Sequence, residues 1–96
     1  MAVKAYLEIT LHIKEENRGA AASVFTQYRE PFLNQIKGAE TKDLLVRDED
    51  VQVLHGFDSL EAAQAYLETD LFTNDVVTGL QPLWFQYPVI AIYSVA

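Results

Sequence analysis

Residues 42–67 constrain the fold of this chain most strongly, because they contain two short apolar runs, a tight acidic turn and a helix start in direct succession. Residues 43–47 and Val51–Phe57 are rich in aliphatic and β-branched side chains, which favour strands. Only the acidic residues 48–50 separate the two runs. Two such runs joined by a short polar turn predict an antiparallel hairpin.

A helix is predicted directly after the hairpin. Asp58 and Glu61 form a D-x-x-E pattern, in which the first carboxylate caps the free N–H groups and the second reaches back. Leu60, Ala63 and Leu67 then recur on one helical face. The pattern indicates an amphipathic helix that packs on the preceding strands.

The part of the chain before the hairpin is typical of a strand followed by a helix. Residues Ala5–Ile13 alternate between apolar and mostly polar side chains, which predicts a strand with one apolar face. Asn17 is a plausible N-cap for the helix that follows. Because proline removes a helical hydrogen bond and constrains the residue before it, Pro31 is expected to kink or end this helix near Glu30. Gly38 is expected to end this helical region as its C′ residue.

The remaining segments are a short helix and a long final strand. Thr69 and Asp70 can cap the helix, and residues 84–95 form an apolar run in which Pro88 limits pairing near the start. The order strand, helix, strand, strand, helix, strand predicts a ferredoxin-like split βαββαβ fold of the α+β class. Right-handed crossovers then place both helices on one face of a four-stranded antiparallel sheet. Residues 1–96 are expected to form one domain.

The composition of the chain limits which binding partners and which cellular location are expected. The formal net charge is −7, and the seven basic residues are scattered, which argues against binding to nucleic acid. No stretch approaches the ~18 apolar residues of a membrane span, and the first ten residues do not resemble a signal peptide. The chain contains no cysteine. A cytoplasmic protein with no membrane partner is therefore expected.

The final strand predicts self-association. Residues 89–93 are apolar on both faces, whereas a two-layer fold covers only one face of its sheet. The uncovered face would also carry Tyr6, Leu54 and Leu45 or its neighbour. Large exposed apolar patches mark interaction sites, and an identical subunit is the simplest cover. We therefore expect a homodimer in which two sheets face each other.

The chain also resembles a known family, the dimeric α/β barrels related to antibiotic-biosynthesis monooxygenases. The similarity is clearest in the positions Gly38, Leu44, Leu45, Val51–Phe57, Ser59, Ala62, Ala63 and Phe72. It implies a homodimer with a barrel formed from two sheets. Enzymes of this family oxidise aromatic polyketides without metal or flavin, so the resemblance implies no cofactor. A haem-degrading subset carries an asparagine on the first strand, where this chain has Ile9.

His55 is the candidate catalytic residue. It shares a strand face with Val51, Val53 and Phe57, the side expected to meet the helices. It stands where the family usually has glutamate, and small shifts bring the pKa of a histidine near neutrality, where it acts as a general base. The alternative interpretation is a core histidine whose ring bonds to a backbone carbonyl or to Tyr66.

Five aromatic residues are candidates for a flat ligand-binding pocket with a few polar groups. They are Tyr28, Phe57, Tyr66, Phe72 and Trp84. The alternative is that these rings are ordinary core. With two histidines and no cysteine, a metal site is not expected.

Two hypotheses for function follow. The first is a cofactor-independent, monooxygenase-like enzyme acting on a small aromatic compound between sheet and helices, with His55 generating a carbanion or phenolate for oxygen. The second is a non-catalytic dimeric barrel that binds a small apolar ligand or has no pocket. A solvent-open cavity beside His55 favours the first hypothesis, and side chains filling that space favour the second.

Overall fold

A computed structural model describes residues 2–96 and contains one four-stranded antiparallel sheet with the strand order β2-β3-β1-β4. The strands are β1 (Ala5–Ile13), β2 (Ala39–Val46), β3 (Val51–Phe57) and β4 (Trp84–Ser94). The helices are α1 (Arg18–Gln35), α2 (Leu60–Tyr66) and α3 (Asp70–Phe72). A 3₁₀ turn, Glu15–Asn17, precedes α1, and the chain after α3 forms a π-helix, Thr73–Leu80, and a 3₁₀ turn, Gln81–Leu83. The predicted ferredoxin-like α+β arrangement is confirmed.

The hydrophobic core lies between the sheet and the helices. The predicted bounds of β1 and β3 are confirmed, and alternate residues of β1 are buried along its whole length. Strand β2 begins at Ala39, before the predicted residue 43, because its first residue already pairs with Phe57. The inward residues of β1, β2 and β3 therefore form one surface under the helices, apolar except at Lys42 and His55.

Helix α1 contradicts the predicted break at Pro31. The helix continues without interruption to Gln35. Phe32 is fully buried, so packing of the last turn stabilises the helix beyond the proline. The carbonyl of Gln27, which loses its helical partner, belongs to an exposed residue and is within reach of water. The expected stop near Glu30 was therefore wrong because tertiary packing outweighs the local effect of proline.

Helix α2 begins one residue later than the predicted Asp58–Glu61 capping box. Ser59 is the N-cap, and its Oγ accepts a hydrogen bond of 3.1 Å from the backbone N–H of Ala62. The backbone N–H of Asp58 instead donates to the Gly38 carbonyl at 2.8 Å. Gly38 has φ of +85°, so a left-handed glycine forms this turn, but it lies two residues after the C-cap Ile36 and one residue beyond the predicted C′ position.

The start of α1 is held by an arginine and not by a capping side chain. Asn17 precedes the helix as predicted, but its side chain makes no capping hydrogen bond. The guanidinium of Arg18 donates to three backbone carbonyls, those of Ile13, Arg47 and Asp48. These bonds join the helix start to the end of β1 and to the acidic hairpin turn.

The sheet face away from the helices carries exposed apolar side chains between polar ones. Leu45, Val89 and Tyr93 lie on this face and are 46%, 59% and 58% exposed in the single protomer. Glu8 and Thr10 lie among them on β1. Across residues 2–96, no helix combines the length and apolar character that crossing a membrane requires.

Candidate functional site

Four titratable side chains lie inside the core, where the sheet meets the helices. They are Lys42, His55, Tyr66 and Asp75, called here the buried cluster, and each is no more than 2% exposed. Lys42 and His55 are directly opposite each other on β2 and β3 and point towards the helices. Tyr66 ends α2, and Asp75 belongs to the π-helix. Charged side chains are rarely buried so completely, so the buried cluster is the candidate site.

An ion pair connects the sheet to the π-helix. Lys42 Nζ donates a hydrogen bond of 2.6 Å to Asp75 Oδ2. Lys42 Nζ also lies 5.7 Å from the ring centroid of Phe25 and 5.5 Å from that of Phe32. Burial lowers the pKa of Lys42 and raises the pKa of Asp75, and their contact opposes both shifts.

The hydrogen bond of His55 determines which of its ring nitrogens carries the proton. His55 Nδ1 lies 3.3 Å from the carbonyl oxygen of Leu7, which is the contact that the alternative interpretation, a core histidine, predicted. Because a carbonyl can only accept, Nδ1 donates, and Nε2 of the neutral ring is left as an acceptor. Nε2 has no hydrogen-bond partner within residues 2–96. Burial, and then the charge of Lys42, lower the pKa of His55 to about 3, so the ring is neutral at pH 7.

Tyr66 and Asp75 each contribute another polar atom without a partner. Neither the Tyr66 hydroxyl nor Asp75 Oδ1 makes a hydrogen bond within the described part of the chain. Burial raises the pKa of Tyr66, with a smaller contribution from Asp75, so the phenol stays protonated and can donate. Buried polar atoms are nearly always hydrogen-bonded, so the two atoms and His55 Nε2 form an unusual concentration of unmet bonding capacity.

The buried cluster has the donors and acceptors that an oxygen-bearing aromatic compound requires. His55 Nε2 can accept a proton, the Tyr66 hydroxyl can donate one, and Lys42 supplies positive charge. A metal would need more ligands in one place, and within residues 2–96 no three His, Asp or Glu side chains converge.

Three of the five predicted ligand-binding aromatics, Tyr66, Phe57 and Phe72, form one group of rings, of which Tyr66 contacts His55. The ring centroid of Tyr66 lies 5.4 Å from that of His55, 5.9 Å from that of Phe57 and 5.5 Å from that of Phe72. Phe32 is central, with its centroid 5.1 Å from that of His55. These rings form the apolar wall of the buried cluster.

The other two predicted aromatics, Tyr28 and Trp84, lie outside this group. Tyr28 is half-buried on α1 and faces the π-helix near Gly79. Trp84 pairs with Ile13 at the far end of the sheet. Ile13 is six residues along β1 from Leu7, the partner of His55, or roughly 20 Å at about 3.3 Å per residue.

Sequence reasoning missed Lys42 and Asp75. Lys42 has the same strand parity as Leu44, whose side chain faces the core, and that alternation is the signal that points the lysine inward. Asp75 directly precedes Val76 and lies three residues after Phe72, next to the apolar stripe of the predicted helix. Both signals were weaker than the general expectation that charged residues are exposed.

The π-helix covers the buried cluster on the side of Lys42. Thr69 caps the helical segment as predicted, because its Oγ1 accepts from the Phe72 N–H at 3.1 Å. Gly79 allows close packing on α1, since a Cβ there would lie 2.8 Å from Val24 Cγ1. π-Helical turns are rare and frequently occur at functional sites.

Side chains fill the space beside His55. His55, Phe32 and Phe57 are all 0% exposed, so no solvent-open cavity reaches the imidazole, and this is the outcome expected for the non-catalytic alternative. Three open clefts lie elsewhere on the surface. A cleft of about 350 Å³ is lined by Arg47, Asp50 and neighbouring residues of the hairpin. Two others, of about 600 and 290 Å³, lie beside the start of α1 and beside α2.

Comparison with known proteins identifies the fold. No family model matches the chain, and no curated protein matches its sequence. Among solved structures, a conserved protein from Methanosarcina mazei Go1 superposes with a TM-score of 0.83 at 13% identity, covering 98% of this chain and 94% of its own. A protein from Caulobacter crescentus CB15, provisionally named an antibiotic biosynthesis monooxygenase, gives a TM-score of 0.83 at 18% identity, covering 98% and 91%.

A third structure, named an antibiotic biosynthesis monooxygenase, gives a TM-score of 0.75 at 15% identity and covers 96% of this chain and 98% of its own. The chain therefore shares its whole fold with proteins of that name, as the sequence resemblance predicted. At these identities the similarity establishes the fold.

Proposed function

We propose that this protein is a homodimeric, cofactor-independent oxygenase that acts on a small aromatic compound at the buried cluster. The observation that carries the proposal is the presence of three polar atoms without partners inside an aromatic-walled core, at His55 Nε2, the Tyr66 hydroxyl and Asp75 Oδ1. An ordinary core avoids such atoms because each costs free energy when buried. The fold shared with proteins named antibiotic biosynthesis monooxygenases supports the same conclusion.

In the proposed reaction, His55 removes a proton from the substrate. Nδ1 stays bonded to the Leu7 carbonyl, so the ring is fixed with Nε2 as the accepting atom. Burial is the largest cause of the low pKa of His55, so displacement of the covering π-helix, which lets water approach the ring, would raise this pKa towards its ordinary value. The carbanion that results reacts with dioxygen. A ring-flanking CH₂ becomes C=O, one oxygen atom is retained and the other leaves as water.

Substrate is proposed to enter beneath the π-helix. Only Asp75, Val76 and Leu80 of this segment are buried. Its remaining side chains contribute little to the core, and segments with few buried contacts open most readily. Displacement of Thr73–Leu80 would expose Lys42 first, and then the rings of the buried cluster.

The dimer is proposed to form through the sheet face away from the helices. Leu45, Val89 and Tyr93 are exposed on that face, and burial of apolar area contributes roughly 25 cal/mol per Å². A second copy presents the same side chains and the same alternating polar ones, as an isologous contact requires.

Oxygen consumption tests the enzyme proposal. The wild-type protein and a His55→Gln variant are supplied with anthrone, an aromatic ketone with an acidic CH₂, and oxygen uptake is recorded. The glutamine keeps hydrogen-bonding capacity and removes the base, so the proposal predicts a loss of about 10²-fold or more. Gln64→Ala, on the exposed face of α2, is the matched control and should keep wild-type uptake. Equal uptake by wild type and His55→Gln would contradict the assignment.

A second candidate function, a non-catalytic barrel, is favoured by one observation. The rings of Phe32, Phe57 and Tyr66 fill the space beside His55, which is the packing expected of a core without a pocket. This candidate predicts no oxygen uptake above the uncatalysed rate of anthrone oxidation with any of the variants above.

A further inference from the structure

Lys42 is incompletely satisfied for a buried cation. An ammonium group has three N–H donors, and within residues 2–96 the side chain makes one hydrogen bond, to Asp75. Its other neighbours are the aromatic rings of Phe25 and Phe32. Aromatic rings attract a cation but do not replace an oxygen acceptor. The lysine therefore retains capacity for a further anionic or carbonyl oxygen.

Asp75 is similarly incomplete. Oδ2 bonds to Lys42, whereas Oδ1 has no partner in the described structure. The residue is supplied by the π-helix, which contributes only three buried side chains, and not by the sheet. A buried ion pair is favourable only when its remaining hydrogen-bonding groups are also satisfied. Asp75 is thus an incompletely satisfied counter-ion for Lys42.

We propose that Lys42 is an anion-binding residue and that the Asp75 carboxylate occupies, in the free protein, the place of an anionic oxygen on a small aromatic ligand. The ligand is an aromatic ring that carries a phenolate, enolate or carboxylate oxygen. This inference rests on the proposed function and defines the class of substrate for the same site.

The charge of the ligand follows from the burial of Lys42. Lys42 is 1% exposed, so a neutral ligand that displaced Asp75 would leave the ammonium without a counter-charge in the core. An anionic oxygen restores the pair. The Tyr66 hydroxyl, which has no acceptor of its own, can donate to the same oxygen.

The aromatic character of the ligand follows from the walls of the site. Phe32 lies within 5.5 Å of both Lys42 Nζ and the His55 ring, measured to its centroid. Phe32 is fully buried in this structure, so a ligand reaches it only after the proposed displacement of the π-helix; a flat ring bound there would bring its substituents within reach of both polar groups. Lys42 would then hold the anionic oxygen of the ligand, including the enolate oxygen that forms when His55 accepts a proton from a ketone such as anthrone.

Binding of matched probes tests this inference. Titration calorimetry compares 2-naphthoate with its neutral analogue 2-naphthamide in wild type, Asp75→Asn and the double variant Lys42→Met/Asp75→Leu. Asp75→Asn removes the competing carboxylate, so its affinity for 2-naphthoate should rise about tenfold or more, the equivalent of one charged contact, with 2-naphthamide unchanged. The double variant should lose all preference for the anion. An equal gain for both probes, or none for either, would overturn the proposal.

A second probe distinguishes the two sources of the anionic oxygen. 2-Naphthol is added at neutral pH, and its phenolate absorption band reports ionisation on binding. Appearance of the band in wild type or Asp75→Asn assigns the site to phenolates. A preference for 2-naphthoate without the band assigns it to carboxylates.

The comparison remains decisive if Asp75→Asn does not fold. Replacement of a buried ion pair by apolar residues is often neutral for stability, so the double variant is expected to fold. The preference of wild type for 2-naphthoate must then disappear in it, and an equal preference in both proteins would overturn the proposal.

Oxygen uptake distinguishes failure of this inference from failure of the proposed function. If the protein oxidises anthrone but shows no preference for the anionic probe, only the role of Lys42 is contradicted. If it prefers the anionic probe but does not oxidise anthrone, only the oxygenase proposal is contradicted.

Discussion

Lys42 Nζ on β2 and Asp75 Oδ2 on the π-helix lie 2.6 Å apart, and both residues are almost completely inaccessible to solvent. The pair joins the sheet to the segment that covers the buried cluster. Within residues 2–96 it is the most deeply buried ion pair, and under the proposed entry route it would have to separate before a ligand reached the buried cluster.

Breaking this ion pair from one side is expected to destabilise the protein strongly. Lys42→Ala leaves the Asp75 carboxylate buried without a partner, which costs about 3–5 kcal/mol in comparable pairs. The double variant Lys42→Met/Asp75→Leu should differ from wild type by much less. Urea unfolding followed by circular dichroism measures both free energies. Similar losses in the single and double variants would show that the pair is not coupled.

The turn between α1 and β2 depends on Gly38. Gly38→Ala is expected to cost more than about 1 kcal/mol, because φ is +85° and the new Cβ would lie 2.5 Å from Asp58 Oδ1 and 2.6 Å from Ala62 Cβ. Gly19→Ala is the matched control. Its Cβ would meet nothing within 4 Å, and the residue lies in α1, so a gain of about 0.5–1 kcal/mol is expected. The same unfolding assay measures both, and a tolerated Gly38→Ala would contradict the packing described here.

Because His55 is buried in its neutral form, the protein is expected to lose stability in mild acid. Its pKa is about 3 in the folded protein and near the ordinary 6.5 in the unfolded chain. Between these values the unfolded state binds the extra proton, so stability falls as pH falls, by up to about 1.4 kcal/mol per pH unit. The His55→Gln variant lacks this contribution. Its free energy of unfolding should decrease less than that of wild type between pH 7 and pH 4.5. Parallel decreases would show that the imidazole titrates normally in the fold.

Self-association through the exposed sheet face is the fourth expectation. Sedimentation velocity at micromolar concentration should show a dimer. Tyr93→Lys should give a folded monomer, because dimerisation would bury the lysine charge at the interface. Val77→Lys is the control, since Val77 is similarly exposed, at 43%, but belongs to the π-helix on the other side of the sheet. A monomeric wild-type protein would contradict the dimer.

Sequence patterns predicted all four strands, although β2 begins at Ala39 and not at residue 43. Strands β1 and β3 alternate without exception on their inner face, and the bounds read from the sequence match the structure. The predicted end of α1 near Pro31 was wrong because burial of Phe32, a long-range effect, stabilises the helical turn beyond the proline. Local signals predict where elements start and end only when no tertiary contact outweighs them.

The candidate site was predictable only in part. His55 was placed on the inner face by the parity of β3, and the structure puts Tyr66 beside it. The pairing of Lys42 with Asp75 joins residues 33 positions apart, through a π-helix that periodicity does not predict. Sequence patterns identify a buried position, but not which distant charge will meet it there.

The proposal that the buried cluster binds a small aromatic compound can be tested directly by nitrogen-15 NMR of the histidine rings during titration with 2-naphthol. We expect the Nε2 resonance of His55 to move upfield because Nε2 accepts a hydrogen bond from the phenol, while Nδ1 remains bonded to the Leu7 carbonyl. The ring nitrogens of His12, on the opposite sheet face, provide an internal reference. If the His55 resonance is unchanged at a 2-naphthol concentration that saturates binding elsewhere on the protein, the buried cluster is not a site for this compound.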